Sequence, residues 1–309
     1  MGFHQKTVVN VAVATLWTTY KSSRAIDADA TSFPAQIDSW LSKLTYETRI
    51  ELCNANLVQS QVLFGQEVII TDEQNGWAKI FVPEQPSGKD TRGYPGWIPK
   101  AQLAEGVEWD ISEGSIATVI SKRAMLYSEN GSPLFELSYQ TILPVIAEKA
   151  DAVIVKLPEG TGYLKTADVA ISLSWDDRPK GSGKDIIAEG ERFLGLPYLW
   201  GGMSSFGFDC SGFSYTLCRA IGYLIPRDAG DQAAAGKNVE LDAIQPGDLL
   251  FFAYEEGKGS IHHVGIYYGD GKLLHSPKTG KHVEIIELAG TTYEKELCSA
   301  SRYGQETEE

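Results

Sequence analysis

The chain has 309 residues, of which 43% are hydrophobic and 22% charged, and this ordinary globular composition excludes a disordered or low-complexity protein. Lys and Arg number 27 against 41 Asp and Glu, so the net charge is -14. Such an acidic chain lacks the basic surface that binds polyanions, which argues against nucleic acid and anionic membrane surfaces as partners. No run of 18 apolar residues occurs, so no transmembrane helix is expected.

Residues 1–6 run directly into a strand-like segment and lack the basic stretch, apolar run and small-residue cleavage site of a signal peptide. We therefore expect either a cytoplasmic chain or one whose signal has been removed. Four cysteines are too few for a disulfide framework, and they are Cys53, Cys210, Cys218 and Cys298.

The chain changes character near residue 175. Before that point, short alternating runs lie between turn residues, at 66–70, 77–82 and 152–157, which is typical of small all-β domains. The segment 175–183 is polar and contains Gly and Pro, so it is interpreted as a linker.

A weak internal repeat lies within the β part, at 77–104 and 152–170. Each copy predicts a strand, a Pro-Glu turn, a second strand starting with Gly-aromatic-aliphatic, and a short helical turn. An insertion at 32–52 predicts a helix. Its apolar residues follow helical spacing: Ile37, Trp40, Leu41 and Leu44.

This pattern resembles bacterial SH3-like (SH3b) domains, over residues 5–104 and 112–171. The resemblance implies two small all-β barrels in tandem, and some other kind of small barrel is the alternative. We place the first barrel, with its inserted helix, at 1–108 and the second at 109–172.

Cys210 lies in a polar turn before a helix, since apolar residues recur at helical spacing from Phe213 onward. Asp209 or Ser211 can cap that helix. A thiol at a helix N-terminus feels the positive end of the macrodipole, which favours the nucleophilic thiolate. The alternative is an inert buried cysteine, which is the interpretation given to Cys218 and to the two remaining cysteines.

A nucleophilic cysteine needs a base, and three of the five histidines lie in one β-hairpin sequence. A two-residue loop at 270–271 would place His263 and His275 on opposite faces. A three-residue loop at 269–271, with a left-handed last residue, would pair Gly265 with His275 and bring His263 to the same face. If both imidazoles act together, we expect the three-residue loop, and a two-residue loop would exclude their pairing. His262, next to His263, is expected to face the other way.

The sequence Phe-Asp-Cys-Ser-Gly-Phe around Cys210, Pro-Gly-Asp-Leu at 246–249 and His-Val-Gly-Ile-Tyr from His263 resemble the NlpC/P60 cysteine peptidases, over about residues 184–305. The resemblance implies an α+β, papain-like fold, with a linker at 173–183 and the catalytic domain at 184–309. It implies Cys210 as nucleophile and His263 as general base. It further implies that His275 orients His263 and that Tyr198 assists the oxyanion hole.

Two SH3b-like domains before an NlpC/P60 domain resemble the YkfC-like γ-D-glutamyl-L-diamino acid endopeptidases of bacterial murein. That resemblance implies hydrolysis of stem peptides with a free N-terminal L-Ala, whose amine binds at an acidic pocket. The candidate residues for substrate binding are Asp209, Ser211, Asp228, Trp200, Arg227 and, from the first SH3b-like domain, Tyr94. For three of them a structural role is the alternative: Asp209 as helix cap only, Tyr94 as barrel packing, Arg227 in an internal ion pair.

Rival interpretations are a zinc site built from Cys210, His263 and His275, a wall-binding protein without activity, and acyl transfer on the same fold. We expect hydrolysis, with no cofactor and no metal. The expected partner is a small murein peptide, bound by a monomer. The resemblance favours an extracytoplasmic, wall-associated protein, with cytoplasmic recycling of wall fragments as the alternative.

Overall fold

A computed structural model describes residues 5–112 and 114–304. The chain forms two compact units. The first runs to Glu84 and includes Arg92–Arg178 and Ser204–Phe206. The second is built from Gln85–Thr91, Pro179–Met203 and the described residues from Gly207 onward.

The first unit contains two seven-stranded, all-β sheets. The strands of the first sheet are β1 Gln5–Val9, β2 Val13–Trp17, β3 Val58–Leu63, β4 Glu67–Gln74, β5 Trp77–Val82, β6 Tyr94–Pro99 and β7 Leu103–Glu108. Those of the second are β8 Ile116–Val119, β9 Arg123–Ser128, β10 Pro133–Ser138, β11 Ile142–Glu148, β12 Ala152–Lys156, β13 Thr161–Lys165 and β14 Val169–Ser172.

The two sheets share one topology. Their strand orders are β3-β2-β6-β5-β4-β1-β7 and β10-β9-β13-β12-β11-β8-β14, so every strand of the first has its counterpart seven strands later. A short 3-10 turn precedes the last strand of each, at Lys100–Gln102 and Thr166–Asp168. The weak repeat in the sequence therefore reflects a repeated sheet.

The predicted insertion is helical, but it does not form one helix. It holds α2 Ile37–Lys43 and α3 Tyr46–Asn54, preceded by the single turn α1 Ala28–Thr31. The break falls at Thr45, whose side chain accepts a hydrogen bond from the Thr48 N–H and so caps α3. The spacing of apolar residues predicts helical structure, but it does not indicate where one helix ends and a capping residue begins the next.

The second unit packs helices against an antiparallel sheet of six strands, in the order β17-β22-β18-β19-β20-β21. The strands of this sheet are β17 Lys237–Val239, β18 Leu249–Ala253, β19 Ile261–Gly269, β20 Lys272–His275, β21 Glu284–Glu287 and β22 Leu297–Arg302. A separate two-stranded sheet pairs β15 Met203–Ser204 with β16 Gly207–Phe208. Its helices are α4 Gly183–Glu191, α5 Cys210–Ala220, α6 Ala229–Ala235, the single turn α7 Tyr254–Gly257 and α8 Thr292–Glu296.

The strand β18, in the interior of the six-stranded sheet, is buried along its whole length. All five of its residues are buried, in keeping with its unbroken apolar sequence Leu-Leu-Phe-Phe-Ala. A strand that is apolar at every position needs cover on both faces, whereas an alternating strand needs it on one.

No helix among the described residues is long and apolar enough to cross a membrane.

Candidate active site

Cys210 is the first residue of α5, where the sequence placed it. The Asp209 carboxylate caps the helix by accepting a hydrogen bond of 2.7 Å from the Gly212 N–H. Gly212 has no room for a side chain, because a Cβ there would lie 2.0 Å from the Gly202 carbonyl oxygen. The loop before Cys210 therefore closes tightly over the start of the helix, and Cys210 as a whole residue is half-buried there.

The environment of the thiol contains opposing influences. Burial and the nearby Asp209 carboxylate raise the pKa of Cys210 to about 12. The backbone N–H groups of Val264 and Ser211, together with the Arg227 guanidinium, act in the opposite direction by favouring the thiolate. Val264 directly follows His263 on β19, so its hydrogen bond to the thiol places Cys210 beside the histidine strand.

The two histidines of the hairpin meet on one face, as predicted. His263 Nε2 lies 2.8 Å from His275 Nδ1, and both rings are buried. His275 engages Nε2 of His263, so Nδ1 is the ring nitrogen of His263 outside this contact. Burial, followed by the charges of His275 and His262, lowers the pKa of His263 well below its usual value. Burial also lowers the pKa of His275 to about 4.

These shifts bear on the resting state of the site. Desolvation favours a neutral thiol beside a neutral imidazole, because it penalises the charged form of each. The helix dipole, which the sequence indicated as favouring the thiolate, is opposed here by burial that the sequence does not reveal.

The predicted three-residue hairpin loop is wrong. Gly269 pairs with Lys272, which leaves the two-residue turn 270–271, with φ of 50° at Asp270 and 72° at Gly271. A bulge between Tyr267 and Gly269 then shifts the register by one residue. Our condition that a two-residue loop would exclude the histidine pairing was wrong, because it took both strands to be regular.

The bulge restores the register that the histidines need. Beyond it Ile266 pairs with Leu274, which sets Gly265 opposite His275. A Cβ on Gly265 would lie 3.0 Å from the His275 Cβ and 2.6 Å from the Leu273 Cδ1, so glycine is required at this point of the hairpin. His262 faces elsewhere, as expected: its ring stacks on Tyr254 at 4.1 Å, and its Nε2 lies 3.2 Å from the Glu296 carboxylate.

Arg227 and Asp209 form a buried ion pair beside the nucleophile. The Arg227 Nη2 lies 2.7 Å from Asp209 Oδ2, and its Nη1 lies 3.2 Å from Asp209 Oδ1 and 2.8 Å from Ser211 Oγ. This is the internal pair that the sequence left open as the alternative for Arg227. Asp209 is the helix cap as well, and the substrate-binding roles of all three residues stay predictions.

The other predicted site residues lie in different surroundings. Asp228 precedes α6 and pairs with Lys89 at 3.1 Å, with both side chains about two-fifths exposed. Tyr198 is buried, and its backbone forms a β-bridge with Phe208, which lies two residues before Cys210. Trp200 is half-buried. Tyr94 lies in β6 of the first unit and is buried. The oxyanion role of Tyr198 and the binding roles of the other three stay predictions.

Two residues that the sequence did not indicate complete the site. Tyr293 of α8 packs its ring 4.9 Å from that of His263 and 5.1 Å from that of His275. The buried Ser276 donates a hydrogen bond of 2.8 Å to the Phe208 carbonyl, which ties the strand of His275 to the loop of Cys210. Ser276 adjoins His275 and was within reach of sequence reasoning, but nothing near Tyr293 in the sequence indicates its place.

The histidine geometry differs from that of a shared metal site. Two nitrogens bound to one tetrahedral zinc would lie roughly 3.3 Å apart, given Zn–N bonds of about 2.0–2.1 Å. The observed 2.8 Å is a hydrogen bond between the rings. Within residues 5–112 and 114–304, no group of three or more His, Cys, Asp or Glu is arranged to hold a metal ion.

Comparison with known proteins identifies the family of the chain. Residues 195–302 match the NlpC/P60 family, and residues 119–171 match the YkfC SH3b2 domain. A protein of Bacillus subtilis named gamma-D-glutamyl-L-lysine dipeptidyl-peptidase is 51% identical over 292 residues, which cover 94% of this chain and 96% of that relative. The chain belongs to the NlpC/P60 family.

Further relatives extend the similarity over the whole chain. A Bacillus cereus protein of the same name is 41% identical, over 96% of this chain and 91% of its own length. The crystal structure of an NlpC/P60 family protein from Bacillus cereus superposes with a TM-score of 0.92 at 39% identity, covering 97% of this chain and all of that one. The expected fold class is thereby confirmed as an NlpC/P60 catalytic domain preceded by all-β sheets, the second of which matches an SH3b domain, and the protein is a hydrolase of this family.

Proposed function

We propose that this protein hydrolyses the γ-D-glutamyl–L-diamino acid bond of murein stem peptides that carry a free N-terminal L-Ala, through a thioester at Cys210. The observation that carries the proposal is the hydrogen-bonded His263–His275 pair on the strand whose Val264 N–H contacts the thiol. The names of the two long relatives, both gamma-D-glutamyl-L-lysine dipeptidyl-peptidases, support the bond and the substrate class.

The proposed mechanism follows from which atoms are left to react. Nδ1 of His263 accepts the Sγ proton as the sulfur attacks the γ-carbonyl carbon, which forms the C–S bond and an oxyanion. The backbone N–H of Cys210 and the Tyr198 hydroxyl are proposed to donate to that oxygen. His263 then protonates the departing amine of the diamino acid. It next takes a proton from water, which attacks the thioester, and returns it to sulfur.

Asp228 is the acidic candidate proposed to bind the L-Ala ammonium group. Its ion pair with Lys89 lies at the surface, with both side chains about two-fifths exposed, so the carboxylate already binds an ammonium group where a peptide can reach it. Asp209 already accepts two bonds from the buried Arg227 and one from Gly212. Ser211 and Trp200 are proposed to contact the peptide next to the nucleophile.

The test uses L-Ala-γ-D-Glu-L-Lys, the corresponding diaminopimelate peptide, and an N-acetylated copy of each, with products identified by mass spectrometry. We expect release of L-Ala-γ-D-Glu from the free-amine peptides, little from the acetylated ones, and none with the Cys210→Ala variant. Equal cleavage of acetylated and free peptides would refute the amine requirement. Transfer of the dipeptide to an added amine, without hydrolysis, would identify an acyltransferase instead.

We propose an extracytoplasmic site of action, on wall-derived peptides, by a monomer. The comparisons support the wall chemistry, and they leave the compartment to experiment. Fractionation of the producing cells should recover the protein in the wall or medium fraction, at a mass of one chain by light scattering. Recovery with a cytosolic marker enzyme would favour the recycling alternative.

A further inference from the structure

The His275 ring of the histidine pair lies beside a carboxylate, that of Glu284, which has no role in the proposed mechanism. The side chain of His275 is completely buried, and its Nε2 has no hydrogen-bond partner among the residues that the structure describes. Pairing of β20 with β21 sets His275 directly opposite Glu284. The Glu284 Oε1 lies 3.8 Å from that Nε2.

The hydrogen bond between the two rings can hold its proton in only two ways while both are neutral. In the first, His263 donates from Nε2, so its Nδ1 carries a lone pair and His275 carries its proton on Nε2. In the second, His275 donates from Nδ1, so His263 is protonated at Nδ1 and His275 has a lone pair on Nε2. Only the first arrangement presents a base to Cys210.

A negative charge beside His275 Nε2 distinguishes these arrangements. It attracts the N–H of the first arrangement and repels the lone pair of the second, and 3.8 Å is short enough for a strong electrostatic interaction near a buried ring. The distance is longer than a hydrogen bond, and a shift of about 1 Å by the partly exposed carboxylate would close it. The neighbouring Tyr293 adds no competing charge, because its pKa is raised to about 12, chiefly by burial.

We propose that Glu284 is a positioning residue that selects the reactive tautomer of His263 through His275. The Glu284 charge beside Nε2 of His275 thereby determines whether Nδ1 of His263 is free to accept the thiol proton. The same charge stabilises the imidazolium that forms on His263 during attack. This inference rests on the proposed roles of Cys210, His263 and His275 and adds Glu284 to them as a fourth residue.

The test compares Glu284→Gln with Glu287→Gln. Glu287 lies on the same strand and pairs with Lys272, also at 3.8 Å, so it offers the same substitution in a matched cross-strand pair away from the histidines. A glutamine amide can serve either tautomer, so selection should be lost. We expect kcat of Glu284→Gln to fall about 10–100-fold, as when a group that orients a functional histidine is removed, with KM unchanged. Glu287→Gln should match the parent.

The direct measurement is the nitrogen NMR spectrum of histidine-labelled protein at neutral pH, which separates protonated from unprotonated ring nitrogens. We expect His263 to be unprotonated at Nδ1 in the parent and in Glu284→Asp, and to populate both tautomers in Glu284→Gln. Unchanged tautomers in a folded Glu284→Gln, or a kcat equal to that of Glu287→Gln, would overturn the proposal. The spectrum needs no turnover, so failure of the proposed function would show separately, as activity retained by Cys210→Ala.

Discussion

The buried pair of Arg227 and Asp209 should control both the stability of the catalytic unit and the reactivity of its thiol. The side chains are 2% and 9% exposed, and the guanidinium contacts both carboxylate oxygens. Arg227→Met keeps the volume and removes the charge, which leaves a buried carboxylate without its counter-ion. Loss of one partner of such a pair costs about 3–5 kcal/mol. Asp209→Asn should cost a similar amount, although asparagine can still cap α5.

The double variant Arg227→Met/Asp209→Asn should recover part of the lost free energy of unfolding, because it leaves no buried charge without a counter-ion. We expect a coupling of about 1.5–3 kcal/mol in the mutant cycle, measured as the free energy of unfolding in urea. Arg192→Met is the control, since its pair with Glu189 on α4 is about one-third exposed and should contribute less than about 1 kcal/mol.

The same variants should change the thiol in opposite directions. Arg227 lowers the pKa of Cys210 and Asp209 raises it, so Arg227→Met should slow alkylation of Cys210 by iodoacetamide and Asp209→Asn should speed it. Peptide mass spectrometry would follow the Cys210 peptide alone. Additive stability losses, or alkylation rates that move the same way in both variants, would refute this electrostatic account.

Three further predictions concern the histidine strands. Gly265→Ala places a methyl group 2.6 Å from Leu273, so it should cost about 1–3 kcal/mol in urea denaturation and reduce kcat by displacing His275. The pKa of His275 is depressed from 6.5 to about 4, so the unfolded chain binds more protons between these values. His275 should therefore contribute a loss of folding stability of up to about 3 kcal/mol as pH decreases from 6.5 to 4, and His275→Asn should weaken the pH dependence, leaving the part that comes from the lowered pKa of His263. Ser276→Ala removes one of two donors to the Phe208 carbonyl, which keeps its hydrogen bond from the Leu199 N–H, and should cost about 0.5–1.5 kcal/mol by the same urea assay, with a lower kcat; a stability equal to the parent's would contradict it.

Much of the molecule follows from local sequence alone. The helix after Cys210, its Asp209 cap and the repeated strand pattern depend on residues within a few positions of one another, where propensity, capping and apolar spacing act directly. The motifs around Cys210 and His263 indicated the reaction class for the same reason, since a nucleophile at a helix start and histidines on a hairpin are local arrangements.

Tertiary structure decided what depends on burial and on packing between distant segments. The bulge near Tyr268 set the histidine register, because a local irregularity changes pairing without changing the turn residues. Burial, invisible in the sequence, opposes the thiolate that the helix dipole favours at Cys210. Strand pairing set Glu284 opposite His275, and α8 brought Tyr293 onto both rings. The sequence by itself indicated the candidate reactive residues, because their motifs are local, whereas the folded sheet decided their burial, register and neighbours.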